Sequence, residues 1–279
     1  MFERFRRSWE LTKQSAALLS KDKVLMLFPL MSGTATIVLA VSFFVPLFLN
    51  GSLKALAQHH GTPSTYLTLF LFYFCNFFVA IYFNCALMAS ANMALAGGRA
   101  TLKDGLGIAN ERLGKIISWA LLATTVGIIL RTLEERVGLL GKIIIAILGA
   151  AWSILTYFIV PVIVFEDQDV FDGVQRSAFL VKKTWGENVG KNITISALTF
   201  MAMVPLLVVG LLAFAIHPLA GILLWVVGFI LLLTAVSAMD GIFKVALYRY
   251  AWQGAKAEGF SPELIQSAFA PKKKTKFGF

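Results

Sequence analysis

Residues 192–239 read NITISALTFMAMVPLLVVGLLAFAIHPLAGILLWVVGFILLLTAVSAM, 48 residues in which His217 is the one ionisable side chain. A soluble core helix has no need of such a stretch. A bilayer demands it, because a charge at its centre costs at least ~2.5–3.5 kcal/mol. As one straight helix the stretch would be ~72 Å long, against a hydrocarbon core of ~30 Å. It therefore has to be two helices. His217-Pro218 is the natural turn, because proline cannot continue a helix interior.

Working outward with the same measure gives six spans: 24–49, 66–96, 116–130, 143–165, 193–216 and 219–239. The second lies in a charge-free stretch from Gly61 to Gly98, long enough to tilt strongly or to project beyond the bilayer. The third has 15 uncharged residues between Lys115 and Arg131. That is short for a crossing, so either those two side chains snorkel or the segment re-enters as a hairpin. The first span follows a basic segment in the manner of a signal peptide. It is too long for that role, and its five successors make it a retained membrane helix. The expected fold class is an all-α integral membrane protein with six transmembrane helices, forming one membrane domain over 1–258, followed by a basic cytoplasmic tail at 259–279.

The 279-residue chain is 58% hydrophobic and 14% charged, with mean hydropathy +0.78. A soluble domain carries about 25% charged residues. The net charge of +10 sits beside apolar spans and not in a separate basic domain, which points to phosphate headgroups and away from nucleic acid. Odd-numbered loops hold four of the 25 Lys/Arg, while even loops and the termini hold 21. The positive-inside rule then puts both termini in the cytoplasm of a multi-pass protein of a prokaryotic cytoplasmic (inner) membrane. Cys75 and Cys85 are about 15 Å apart along one helix, too far for a bridge.

Polar, helix-compatible segments precede each pair of spans. In the first, Phe2, Phe5, Trp9 and Ala16 share a face away from Arg4, Arg7 and Lys13. In the second, Leu102, Leu106, Ala109 and Leu113 are in register, with Lys103 and Arg112 outside; in the third, Phe171, Val174, Ala178 and Val181 oppose Arg176, Lys182 and Lys183. This is the pattern of amphipathic interfacial helices. Residues 7–13 and 176–182 both read RSxxLxK, and each Arg stands 17 residues before its span, at Val24 or Ile193. That spacing suggests a parallel internal repeat; convergent juxtamembrane composition is the alternative.

No constellation of catalytic residues is present: no HExxH, GxSxG, CxxC or P-loop pattern accompanies His59, His60 or His217. Asn76, Asn84 and Asn92 punctuate the second span and spread over a broad face, either as helix–helix glue or as a polar path. Arg131, Glu134, Glu135 and Arg136 form a charged turn suited to local ion pairing. Glu166, Asp167, Asp169 and Asp172 gather after the fourth span without an EF-hand pattern, and acidic residues are expected at the start of a following helix. Ala146, Gly149, Ala150 and Ser153 form a small-residue stripe suited to helix packing. Lys272, Lys273, Lys274 and Lys276 suit adhesion to an anionic leaflet.

Three stretches, 1–29 (FxRSWELTKQS, then LFPL), 152–187 (W…TYFIVPVIVFED…RSAFLVKKTWGE) and 246–254 (ALYRYAWQG), with Phe83-Asn84-Cys85-Ala86-Leu87, resemble an uncharacterised prokaryotic family of six-span membrane proteins. The middle stretch is also similar to the membrane domain attached to some glycerophosphodiester phosphodiesterases. That domain is not the catalytic part, and its enzyme's carboxylate and His pattern is absent here. The resemblance implies a membrane architecture and transfers no active site.

The expectation is a non-enzymatic polytopic membrane protein without cofactor or metal, acting as a lipid-interacting scaffold or as a subunit of a membrane complex. Its partners would be membrane lipids with anionic headgroups, and a membrane protein or further copies of the chain, with no nucleic acid. Arg7, Lys13, Arg176, Lys182 and Lys183 are the candidate headgroup contacts. The alternative is a transporter or channel component, with Asn76, Asn84, Asn92, Arg131 and Tyr157 lining its path.

Overall fold

A computed structural model describes residues 15–52, 62–185 and 194–253. Residues 15–21 are helical and a 3-10 turn, Lys23–Met26, leads into helix α1 (Leu27–Leu49). There follow α2 (Pro63–Ala94), α3 (Leu102–Glu111), α4 (Leu113–Arg136), α5 (Leu139–Leu155), α6 (Ile159–Phe165), α7 (Val170–Trp185), α8 (Thr194–Ile216) and α9 (Pro218–Gln253). Five segments are long and apolar enough to cross a membrane: Lys23–Leu49, Pro63–Ala94, Leu113–Arg136, Leu139–Phe165 and Gly221–Trp252. Helix α8 covers the expected fifth span; its stretch Pro205–Ile216 is apolar but short for a crossing by itself.

The expected third span is not a hairpin. Helix α4 is continuous over 24 residues, because Lys115 and Arg131 extend the apolar core at both ends and find partners beyond it. The expected sixth span, 219–239, is longer than its charge gap. Helix α9 runs on to Gln253, carrying Asp240, Lys244 and Arg249 beyond the end of the charge gap. Nothing after Met239 breaks a helix: Asp240 and Lys244 pair at 2.7 Å across one turn, and Gly241 sits against Leu87, where a Cβ would come within 2.5 Å of that side chain. At the other end of α9, α8 stops at Ile216 and α9 begins at Pro218, as the sequence required.

Helix α2 is the hub, packing against α1, α3, α4, α6 and α9, while α8 packs on α9. The C-terminal part of α2 carries Cys85, Ala86, Ala89, Ser90, Ala91 and Ala94, all buried. These small side chains let neighbouring backbones approach closely. The buried core, from Leu25 and Phe28 through Ile116, Phe158 and Leu180 to Tyr248, lies toward the end of the bundle that holds the α2 C-terminus. Toward the far end, large apolar side chains such as Ile37, Phe48, Leu140 and Leu223 stand exposed. In water such a surface would be a liability; facing lipid it costs nothing. Within the chain the small-residue stripe of α5 is mostly uncovered: Ala146, Ala150 and Ser153 are exposed, and a Cβ on Gly149 would meet Leu130 at 3.9 Å.

Candidate functional site

The fourth span is broken, and the break builds the site. Pro161 has no N–H, and its ring excludes the carbonyl four residues back, so helix α5 ends at Leu155 and α6 begins at Ile159. Ile159 N–H turns to the Thr156 carbonyl at 3.1 Å instead of the carbonyl four residues back, so the break presents Leu155 C=O and Phe158 N–H to α7. One hydroxyl from α7 serves both: Ser177 Oγ accepts from Phe158 N–H at 3.0 Å and donates to the Leu155 carbonyl at 2.6 Å. Close approach is possible because Gly173, one turn earlier, lies against Ile159, where a Cβ would come within 2.9 Å of its Cδ1.

In this docking Val170, Gly173, Ser177, Leu180 and Val181 are buried, whereas Phe171, grouped with the apolar face of an interfacial helix, is 73% exposed. The hydroxyl and glycine positions decide the contact, and the large aromatics Phe171 and Phe179 turn outward. In α3 the buried positions are Gly105 and Ala109, with Leu102 and Leu106 half-buried. Leu113 is exposed because the helix ends at Glu111 and α4 starts afresh.

Beside the break, α6, α7 and α9 are tied by one carboxylate. Glu166 Oε2 accepts from Arg176 Nε at 2.6 Å, and Glu166 Oε1 accepts from Tyr248 Oη at 2.7 Å. The Glu166 side chain is 8% exposed, so this pair is largely out of water. The next residue, Asp167, turns the other way with φ +54°, a backbone region that aspartate tolerates better than most side chains. It receives Lys115 Nζ at 2.6 Å together with the Arg112 guanidinium, joining the start of α4 to the α6–α7 turn. The hydrogen bonds from Lys115 and then Arg112 hold its carboxyl below the usual carboxylate range. Two adjacent acids thus serve separate basic partners, Arg176 for Glu166 and Lys115 with Arg112 for Asp167.

A cleft of about 270 Å³ opens between the end of α2, the end of α6 and the end of α9. Its lining is Asn92, Ala96, Phe165, Tyr248, Arg249 and Trp252. The rings of Phe165, Tyr248 and Trp252 run along it, with centroids 5.5 and 5.8 Å apart in succession. Arg249 Nη1 donates to the Asn92 carbonyl at 3.4 Å, near the C-terminus of α2. Nearby, Lys183 Nζ donates to the Ala251 carbonyl at 3.3 Å.

The residues expected to form a polar path do not converge. Asn76 donates to the Phe72 carbonyl of its own helix, and Asn84 and Asn92 are half-buried, with only Asn92 lining the cleft. Arg131 is at the far end, donating to Tyr73 Oη at 2.7 Å and to Glu135 at 3.2 Å. Tyr157 lies at the break, with the Lys244 ammonium 5.4 Å from its ring centroid. Of the expected headgroup contacts, Arg176 is committed to Glu166, Lys183 to a backbone carbonyl, and Lys182 is exposed. Arg7, Lys13, the first half of the RSxxLxK repeat and the lysine tail lie outside the described residues. Ser177, Tyr248 and Arg249 were not singled out by sequence, although all three fall in the stretches that carried the family resemblance.

The sequence model described as "Family of unknown function (DUF6159)" matches residues 64–259. No curated protein and no solved structure matches the chain.

Proposed function

We propose that this chain, which belongs to the DUF6159 family of unknown function, is a non-enzymatic integral membrane protein that engages anionic lipid headgroups at its charged end, as a scaffold or as a subunit of a membrane complex. In this reading α8 also crosses the membrane, as the fifth of six spans, both termini lie in the cytoplasm of a prokaryotic cell, and α3 and α7 rest at the level of the headgroups. The observation that carries it is the gathering at one end of the bundle of Lys182, Lys183 and Arg249, which make no ion pair among the described residues, with Arg112, Lys115 and Arg176 paired to Asp167 and Glu166, beside the exposed aromatics Phe171, Phe179 and Trp252. Basic side chains near an anionic leaflet are worth about 1 kcal/mol each, and aromatic residues favour that depth.

The test is native mass spectrometry of the gently extracted full chain. Retained phosphatidylglycerol in preference to phosphatidylcholine is the expected result; equal retention overturns the reading. Phospholipid turnover by the purified protein, lost on Glu166→Gln, would instead make it an enzyme.

A transporter is the second reading, favoured by the interrupted helix at 156–158, since discontinuous helices carry substrate sites in many secondary transporters. Solute flux in proteoliposomes that disappears in Asn84→Leu, with folding intact, would put it first.

A further inference from the structure

We propose that the cleft between the ends of α2, α6 and α9 is a binding site for one phosphate-bearing anionic headgroup, with Arg249 as its cationic contact and Trp252 at its rim. This deepens the reading above and rests on it. At about 270 Å³ the cleft is slightly smaller than a typical small-molecule pocket of ~300–1,000 Å³. It has room for a headgroup and none for acyl chains. Those chains would run along the lipid-facing surface of the bundle, which Trp252 joins with 40% exposure.

The electrostatics favour an anion there. Glu166, the carboxylate bonded to the lining residue Tyr248, is already met by Arg176 and by Tyr248 Oη, so it offers an incoming phosphate little repulsion. Arg249 makes no ion pair among the described residues. Its hydrogen bond to Asn92, at 3.4 Å, is long and uses one of five guanidinium donors. A planar fork with donors to spare is what bidentate phosphate recognition requires. Capping the C-terminus of α2 is the purely structural role for Arg249. A cap, however, needs no open cleft with an aromatic wall.

The experiment uses the full chain in a non-ionic detergent, with phosphatidylglycerol as probe and native mass spectrometry as readout. Wild type is expected to retain one phosphatidylglycerol tightly, and Arg249→Gln to hold it about tenfold or more weakly, as loss of hydrogen bonds to a charged group implies. Arg249→Lys keeps the capping charge without the fork and should fall between the two, while Lys142→Gln, exposed near the start of α5 and outside the basic cluster, should match wild type. Should Arg249→Gln fail to fold, as judged by its elution and unfolding midpoint, the Arg249→Lys comparison decides. Displacement of the adduct by inorganic phosphate would assign the site to phosphate itself; persistence would assign it to the lipid. Unchanged retention in Arg249→Gln, or in Arg249→Lys where that comparison decides, overturns the cleft while leaving the general headgroup reading in place. No phosphatidylglycerol on wild type overturns both.

Discussion

Ser177 and Phe158 are 19 residues apart in sequence and joined through one hydroxyl, which fills the gap that Pro161 opens in the fourth span. Phe158 is fully buried, so its N–H has no water to turn to. Ser177→Ala should therefore cost about 1–3 kcal/mol for that donor, with a further loss from the Leu155 carbonyl. The expected outcome is a lower unfolding midpoint in detergent and faster proteolysis near residues 155–159. An unchanged midpoint would mean that the break satisfies itself without α7.

The Glu166–Arg176 pair is asymmetric, with the acid 8% exposed and the base 29% exposed. Arg176→Met strands a carboxylate that water barely reaches and should cost about 3–5 kcal/mol. Glu166→Gln leaves a guanidinium that can relax toward solvent, keeps an acceptor for Tyr248, and should cost less, about 1–3 kcal/mol. Paired thermal unfolding curves of the two variants check the order; a reversed order would place the buried charge on the other partner.

The charge gaps made the membrane setting and most helix positions legible, because apolar length and the Pro218 turn are local properties of the chain. The break at 156–158 was scarcely legible: Pro161 stands in the stretch TYFIVPVIVFED, but nothing marked Ser177 as its partner, since a serine in an amphipathic segment looks like any polar residue. The extension of α9 past Met239 was hidden for a different reason. Asp240, Lys244 and Arg249 end a hydropathy window without ending a helix, and only tertiary contacts to Tyr157 and Asn92 show where they go. The asparagines of α2 misled because a polar residue in a span signals a partner without saying which.

Asp167 gives the charged end a pH dependence of defined sign. Its native pKa is depressed by Lys115 and Arg112, so the native state binds fewer protons than the unfolded chain, whose aspartates titrate near ~3.9. The stabilisation is fully present above that value and is lost as pH falls through the depressed native value. Asp167→Asn should flatten this part of the acid-unfolding curve while keeping the left-handed turn. Because the site is open to solvent, added salt should narrow the difference. Parallel curves for the two proteins, followed by circular dichroism in detergent, would remove Asp167 from the account.

Gly105 and Gly107 lie two residues apart on α3 and should respond oppositely to alanine. A Cβ on Gly105 would stand 2.3 Å from Ser90 Oγ, 2.7 Å from the Ala86 carbonyl oxygen and 2.7 Å from Phe28 Cζ. The carbonyl belongs to the α2 backbone and cannot swing aside, so α3 itself must lift. Overpacking of this kind costs about 1–3 kcal/mol. A Cβ on Gly107 would meet nothing within 4 Å, and there alanine gains about 0.8–1 kcal/mol of helix propensity. Unfolding midpoints should therefore fall for Gly105→Ala and rise slightly for Gly107→Ala. Equal shifts in the two would mean that α3 is not seated on α2 through its glycine face, and that the charged end is assembled in some other way.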